Sequence, residues 1–268
     1  CASAVYVLND ALDVASDRLD PDKRTRPLAA GTVSLVGGIS LIPLLLALAL
    51  AVAWTLPRPA QWALAAYAGG ALVYNLGIKR TLWLDLVLLS GLYALRVIAG
   101  ALAAGILPSP WLVSFSLFVF LSLAALKRYG ELMRCAFEQL PGRAYRRGDA
   151  PIVAAFGIAA ALASTVVLAL YVNAPEVARM YARAQVLWAL GPIVLCWLAR
   201  LWTLAHRGEL HGDPVLHALR DVGSWTAAVA LGAPALTGFA QQSVTLKFHT
   251  FMAPLSNVWL NMHKAWMN

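Results

Sequence analysis

Seven apolar runs divide the chain, at about 33–55, 60–78, 84–105, 110–127, 152–172, 184–204 and 222–241. Each approaches or reaches the roughly 20 residues with which a helix crosses a bilayer. The first dozen residues read as the last half of another span, and short polar segments between the runs carry most of the charge. The pattern predicts an all-α fold, a polytopic transmembrane helical bundle of about seven and a half spans. The chain opens inside an apolar stretch, CASAVYVL, with no initiating Met, charged n-region or cleavage pattern. We therefore expect 1–241 to be one transmembrane domain lacking at least one helix upstream. After about Gln242 the Ala/Leu character disappears, which sets 242–268 apart as a C-terminal tail.

Composition agrees with a membrane solvent. Hydrophobic residues make up 60% and charged residues 13%, with ten tryptophans; a soluble domain carries about 25% charge. Cys1, Cys135 and Cys196 lie far apart with no CxxC spacing, so neither a disulfide framework nor a zinc site is indicated.

The net charge is +8, and its distribution orients the chain. With loops assigned alternately, one side receives fifteen of the Lys and Arg residues, the other five, and Arg96 is left inside a span. The positive-inside rule places the richer side, which begins with the loop after residue 12, in the cytoplasm. Topology and contact with anionic lipid account for these bases, and no nucleic-acid partner is needed.

Acidic residues concentrate on that same side. Five carboxylates (Asp10, Asp13, Asp17, Asp20 and Asp22) fall within NDALDVASDRLDPDKRTRP. At about 100° per residue, Asp10, Asp13 and Asp17 share one helical face within roughly 60°. Such a face is self-repelling, and a cation is the obvious compensation. Oxygen-only ligands suit Mg²⁺, which is usually shared between one or two carboxylates and substrate phosphates. Asn9 adds a neutral oxygen. Lys23, Arg24 and Arg26 follow at once, and acids beside bases are what a diphosphate site requires: the metal neutralises the leaving group and the bases hold the remaining oxygens.

At this point the sequence resembles a family. NDALDVASDRLDPDKRTRPLAAG is similar to the first aspartate-rich motif of the UbiA superfamily of membrane prenyltransferases, N-D-x-x-D-x-x-x-D followed by K-x-x-R-P and a glycine. Asn9, Asp10, Asp13, Asp17, Lys23, Arg26, Pro27 and Gly31 match it, and by motif position and span order the resemblance runs to about residue 240. It implies about nine helices in an intact protein, around a cavity open to the cytoplasm and laterally to lipid. A second segment, YNLGIKRTLWLD, supplies Tyr74, Lys79, Arg80 and Asp85. Many relatives carry two or more acids there, whereas this chain has Asp85 alone. The resemblance implies that Asp10, Asp13, Asp17 and Asp85 hold Mg²⁺ and are catalytic. It also implies that Lys23, Arg26, Lys79, Arg80 and Lys127 bind substrate phosphates, and that Asn9, Tyr74 and Arg96 line the cavity.

Arg96 stands out without the family. It lies eleven residues beyond Asp85, hence roughly 16 Å deeper and about 20° round the same helix. An arginine at that depth normally faces a cavity or a partner. His206, His211 and His217 accompany Glu209, Asp213 and Asp221 in a late loop, RGELHGDPVLHALRD. Their spacing matches no zinc signature. Asp213–Pro214 reads as a helix start and His217–Asp221 as a helix-surface pair. The segments LKRYGEL, YALRVIAG and this loop resemble the branch containing decaprenyl-phosphate phosphoribosyltransferases.

The resemblance implies a Mg²⁺-dependent integral membrane prenyltransferase of a bacterial-type plasma membrane. It would displace diphosphate from an isoprenoid diphosphate, with a lipid-soluble isoprenoid substrate and a diphosphate-bearing donor as partners. The alternative in the same class is phosphoribosyl transfer from phosphoribosyl diphosphate to a polyprenyl phosphate. A membrane transporter is the alternative of another class, but it would place its charged groups near the midplane, where only Arg96 is expected. A structural scaffold leaves the acidic face unexplained.

Overall fold

The structure, a computed structural model, describes residues 2–19, 24–174, 184–210 and 221–238, together with Val177, Pro214 and His217. Lys23, Asp20, Asp22, His211, Asp213 and the expected tail fall outside the described residues. All the apolar runs form helices, and no strand is formed among the described residues; the chain is an all-α helical protein.

The elements are α1 (Ala2–Asp17), a single turn α2 (Pro27–Ala30), α3 (Leu35–Trp54), α4 (Arg58–Leu76), α5 (Leu84–Ala103), α6 (Pro110–Arg134), α7 (Ala150–Val172), α8 (Leu190–His206) and α9 (Val222–Gly238). Among the described residues, five stretches are long and apolar enough to cross a membrane: Leu35–Trp54, Leu84–Ala103, Pro110–Arg134, Arg147–Val172 and Gln185–His206. In α3 the large side chains Val36, Leu44, Leu48, Leu50 and Val52 are exposed; a helix apolar on all sides needs lipid around it. The chain is a multi-pass membrane protein.

Local sequence explains the ends. Ser34 caps α3, its hydroxyl accepting from the Gly37 amide. The stretch Leu56-Pro57-Arg58-Pro59 separates one helix from the next, with Pro57 just before α4 and Pro59 in its first turn. The greatest difference from expectation is at α6, which continues past residue 127 to Arg134. Lys127, Arg128, Glu131 and Arg134 are too polar for a bilayer core but are good helix formers, so the helix outlasts its apolar segment.

The chain forms two compact units. One comprises residues 1–105 with 131–150, the other 106–130 with 151–268. In the first, α4 packs along α5 and α1 packs against α3, α2 and α4. Its core includes Tyr67, Ala71, Tyr74 and Leu92, flanked by Val5, Leu88 and Leu95. In the second, α8 packs against α9, and Trp202 of α8 donates from its indole nitrogen to Ser122 Oγ of α6 at 3.1 Å. Gly157 of α7 lies against that indole, so that a Cβ there would fall 2.2 Å from the ring.

Candidate functional site

The site is built from α1 outward, within the first unit. The helical face drawn from spacing carries Asp10, Asp13 and Asp17, and each carboxylate meets a base. Arg26, just before α2, bridges two of them through one nitrogen: Nη1 donates to Asp10 Oδ1 at 2.8 Å and to Asp17 Oδ2 at 3.0 Å. Asp13 Oδ1 accepts from Lys79 Nζ at 2.5 Å. Lys79 sits in the 3-10 turn Ile78–Arg80 that follows α4, so the second motif is brought onto the first across 66 residues of sequence. The Lys79 side chain is only 4% exposed and Asp13 18%, so this pair sits well inside the protein. Asn9 is half-buried beside Asp10 on α1, and Arg80 is exposed.

Asp85 has a different setting. It opens α5, is fully buried, and its Oδ1 accepts from the Tyr145 hydroxyl at 2.6 Å. The same hydroxyl accepts from the Trp83 amide at 3.1 Å. Trp83 has φ +67°, an unusual conformation for a bulky residue, and the amide it presents is thereby satisfied. Among the described residues no three of His, Cys, Asp or Glu converge closely enough to hold a metal together.

Deeper in the same unit, Arg96 sits among tyrosines. Its Nη2 donates to the Tyr67 hydroxyl. The guanidinium carbon lies 4.9 Å from the ring centre of Tyr67, 5.0 Å from Tyr93 and 5.9 Å from Tyr6. Aromatic faces and a phenol thus replace the carboxylate partner that an intramembrane cation usually needs. Tyr6 precedes Asp10 by one helical turn, on the same side of α1. That periodicity was readable, but an aromatic in an apolar run carries no distinguishing signal.

Sequence reasoning also missed Arg143 and Tyr145, which come from the segment between α6 and α7. Arg143 Nη1 donates to the Tyr74 hydroxyl at 2.9 Å and to the Lys79 carbonyl at 3.1 Å. Nothing in the segment's composition points to a partner some 60 to 70 residues away.

Lys127 belongs to the second unit, half-buried on α6. There the Tyr129 hydroxyl and His206 Nδ1 are 3.0 Å apart, at a largely apolar cavity of about 360 Å³ between α6, α7 and α8. The expected side-chain pair of His217 with Asp221 gives way to another arrangement. Asp221 instead caps α9, accepting from the Ser224 amide at 2.7 Å, and receives both terminal nitrogens of Arg200. The Arg200 hydrogen bonds, aided by Ser224, hold its carboxyl down at about 2, below the ordinary 3.8.

The donor set suits a hard cation. Asp10 and Asp13 each commit one oxygen to a base and keep the other uncommitted among the described residues. Two open carboxylate oxygens, with water and substrate phosphate, are what Mg²⁺ ordinarily takes.

The model of the UbiA prenyltransferase family matches residues 1–216, which include every residue of this site. The chain is 37% identical over 227 residues to the uncharacterized protein y4nM of Sinorhizobium fredii, covering 83% of this chain and 44% of that one. It is 35% identical over 233 residues to the nodulation protein NoeC of Azorhizobium caulinodans, covering 86% and 76%. It is 40% identical over 131 residues to a decaprenyl-phosphate phosphoribosyltransferase of Mycolicibacterium smegmatis, covering 49% and 41%. The chain therefore spans less than half the length of the first and third of these relatives. With the family's motif matched residue for residue along α1, this chain belongs to the UbiA prenyltransferase family.

Proposed function

We propose that the chain is the catalytic part of a Mg²⁺-dependent membrane transferase that displaces diphosphate from its donor. The observation carrying this reading is the row Asp10, Asp13 and Asp17 on α1, neutralised by Arg26 and Lys79. Three carboxylates and two cations in one place form a site with little net charge, which can exchange partners when a polyanion enters. Arg26 and Lys79 would then bind phosphate oxygens, and Asp10 and Asp13 would be the residues left to hold a metal. The open oxygens of Asp10 and Asp13, with Asp17 beside them on α1, would hold Mg²⁺ shared with the substrate phosphates, and the metal would supply charge neutralisation for a leaving diphosphate. Lys23 and Arg80 are proposed to supply further positive charge around the phosphates, and Asn9 and Tyr74 to line the cavity; Lys127, on α6 in the second unit, is a phosphate-binding proposal that rests on the resemblance alone. Asp85, buried under Tyr145, is assigned to the same site from its place in the second motif, by holding the turn that presents Lys79.

Two donors fit this chemistry: an isoprenoid diphosphate, or phosphoribosyl diphosphate with a polyprenyl phosphate as acceptor. Similarity to decaprenyl-phosphate phosphoribosyltransferases favours the second. In either case diphosphate leaves carbon and an acceptor oxygen or carbon takes its place. The positive-inside distribution of bases supports a cytoplasmic site in a bacterial plasma membrane. Membranes containing the protein are to be offered labelled phosphoribosyl diphosphate and labelled geranylgeranyl diphosphate in parallel. Lipid-soluble label from phosphoribosyl diphosphate alone supports phosphoribosyl transfer. Label from the prenyl donor alone returns the reading to prenyl transfer, and uptake of solute without Mg²⁺ would overturn both in favour of transport.

A further inference from the structure

The segment between α6 and α7 is built as a small hairpin. Leu140, Pro141, Gly142 and Arg143 make a tight turn, closed by the Arg143 amide donating to the Leu140 carbonyl at 3.1 Å. Proline follows the first residue and Gly142 has φ +71°, the combination a type II turn requires. The Leu140 amide donates to the Tyr145 carbonyl at 2.9 Å, the Arg147 amide to the Glu138 carbonyl at 2.8 Å, and Gln139 bridges to Arg146. At its tip, a Cβ placed on Gly142 would lie 3.7 Å from Ser16 Oγ, between Asp13 and Asp17 in the α1 sequence.

This hairpin grips the connection between α4 and α5 at two points. Tyr145, fully buried, accepts from the Trp83 amide and donates to Asp85. Arg143 holds the carbonyl of Lys79, and its Nη1 is braced by the Tyr74 hydroxyl. Lys79 is the residue whose ammonium rests on Asp13. A continuous set of polar contacts therefore runs from the hairpin, through the Lys79 backbone, to the carboxylate row.

We infer that Arg143 is a positioning residue: it fixes the backbone of Lys79 so that the ammonium is presented to the diphosphate of the donor. The inference rests on the proposed role of Lys79 as a phosphate ligand. A lysine stem has four rotatable bonds and a flexible charge; anchoring its backbone confines the ammonium to the site and lowers the entropy lost on binding. Since Arg143 acts through Lys79, its removal has little left to change once Lys79 is gone.

The test is a double-mutant cycle on detergent-purified protein, with inorganic diphosphate and Mg²⁺ as the probe and ligand-induced thermal stabilisation as the readout. K79A is expected to weaken diphosphate binding about 10-fold or more, and R143A about 3- to 10-fold. The double variant is expected to bind as K79A does, because contributions through one residue do not add. R143K, which keeps the charge and its donors but on a shorter, more flexible stem, is expected to fall between wild type and R143A. If R143A does not fold, R143Q takes its place in the cycle. Losses that multiply in the double variant, or an R143A protein that binds like wild type while K79A does not, would overturn the inference and leave the diphosphate reading standing. Wild-type protein that does not bind diphosphate with Mg²⁺, or K79A that binds unchanged, would overturn both.

Discussion

Arg26 holds two carboxylates with one nitrogen, and that economy decides what single substitutions do. Arg26→Ala removes the cation that Asp10 and Asp17 share, and the Asp17 side chain is only 6% exposed. Taking one partner from a largely buried ion pair is costly, so R26A is expected both to lose turnover and to melt earlier. Asp10→Ala, by contrast, removes a repelling charge; its protein is expected to fold normally and to be inactive. At the Asp85 node, Tyr145→Phe deletes a donor to a fully buried carboxylate and an acceptor of the Trp83 amide. Losing buried hydrogen bonds, one of them to a carboxylate, costs about 1–3 kcal/mol, and thermal melting of Y145F in detergent is expected to show a loss of that order. The acids and bases of this residue-scale account were legible, because charge is rare in this chain and its period on α1 is plain. Arg143 and Tyr145 were not, because partners so distant in sequence leave no local mark on a single chain.

At the scale of elements, the helices follow from hydropathy almost to their ends. The run at 33–55 became Leu35–Trp54 and that at 84–105 became Leu84–Ala103, since bilayer length fixes both. Where the ends moved, as in α6, helix propensity outlasted hydropathy. Packing between helices was less legible: "GIAAALAS" reads as a small-residue surface, but the sequence does not name the indole that Gly157 accommodates. Gly157→Ala puts a methyl into the Trp202 ring, which its bond to Ser122 keeps in place. Overpacking of this kind costs about 1–3 kcal/mol, and a lowered melting temperature for G157A is the expected result. The start of α9 adds a pH signature. Asp221 titrates at about 2 in the folded protein instead of the ordinary 3.8. Its depressed value means that the cap and the Arg200 bond stabilise the fold fully above about pH 4, and that this contribution is lost as the pH falls toward 2. Asp221→Asn is expected to be less stable than wild type at neutral pH, with the gap narrowing between pH 4 and 2 in acid unfolding followed by circular dichroism.

For the whole molecule, membership of the UbiA prenyltransferase family and a carboxylate row neutralised by bases point the same way, toward a polyanionic substrate handled at a membrane. Under the proposed function, metal and diphosphate would call for charge, which sequence displays, whereas an acceptor would call for cavity shape, which side chains from many helices make together. The most direct measurement is the rate of Mg²⁺-dependent diphosphate release by membranes supplied with phosphoribosyl diphosphate and a polyprenyl phosphate, or with an isoprenoid diphosphate and its acceptor. Wild type is to be compared with Asp10→Asn and Asp17→Asn at matched amounts of folded protein. The account predicts a loss of at least about 100-fold in each variant, the scale seen when charge stabilisation is removed from a reacting centre. Release at the wild-type rate by either folded variant would contradict it.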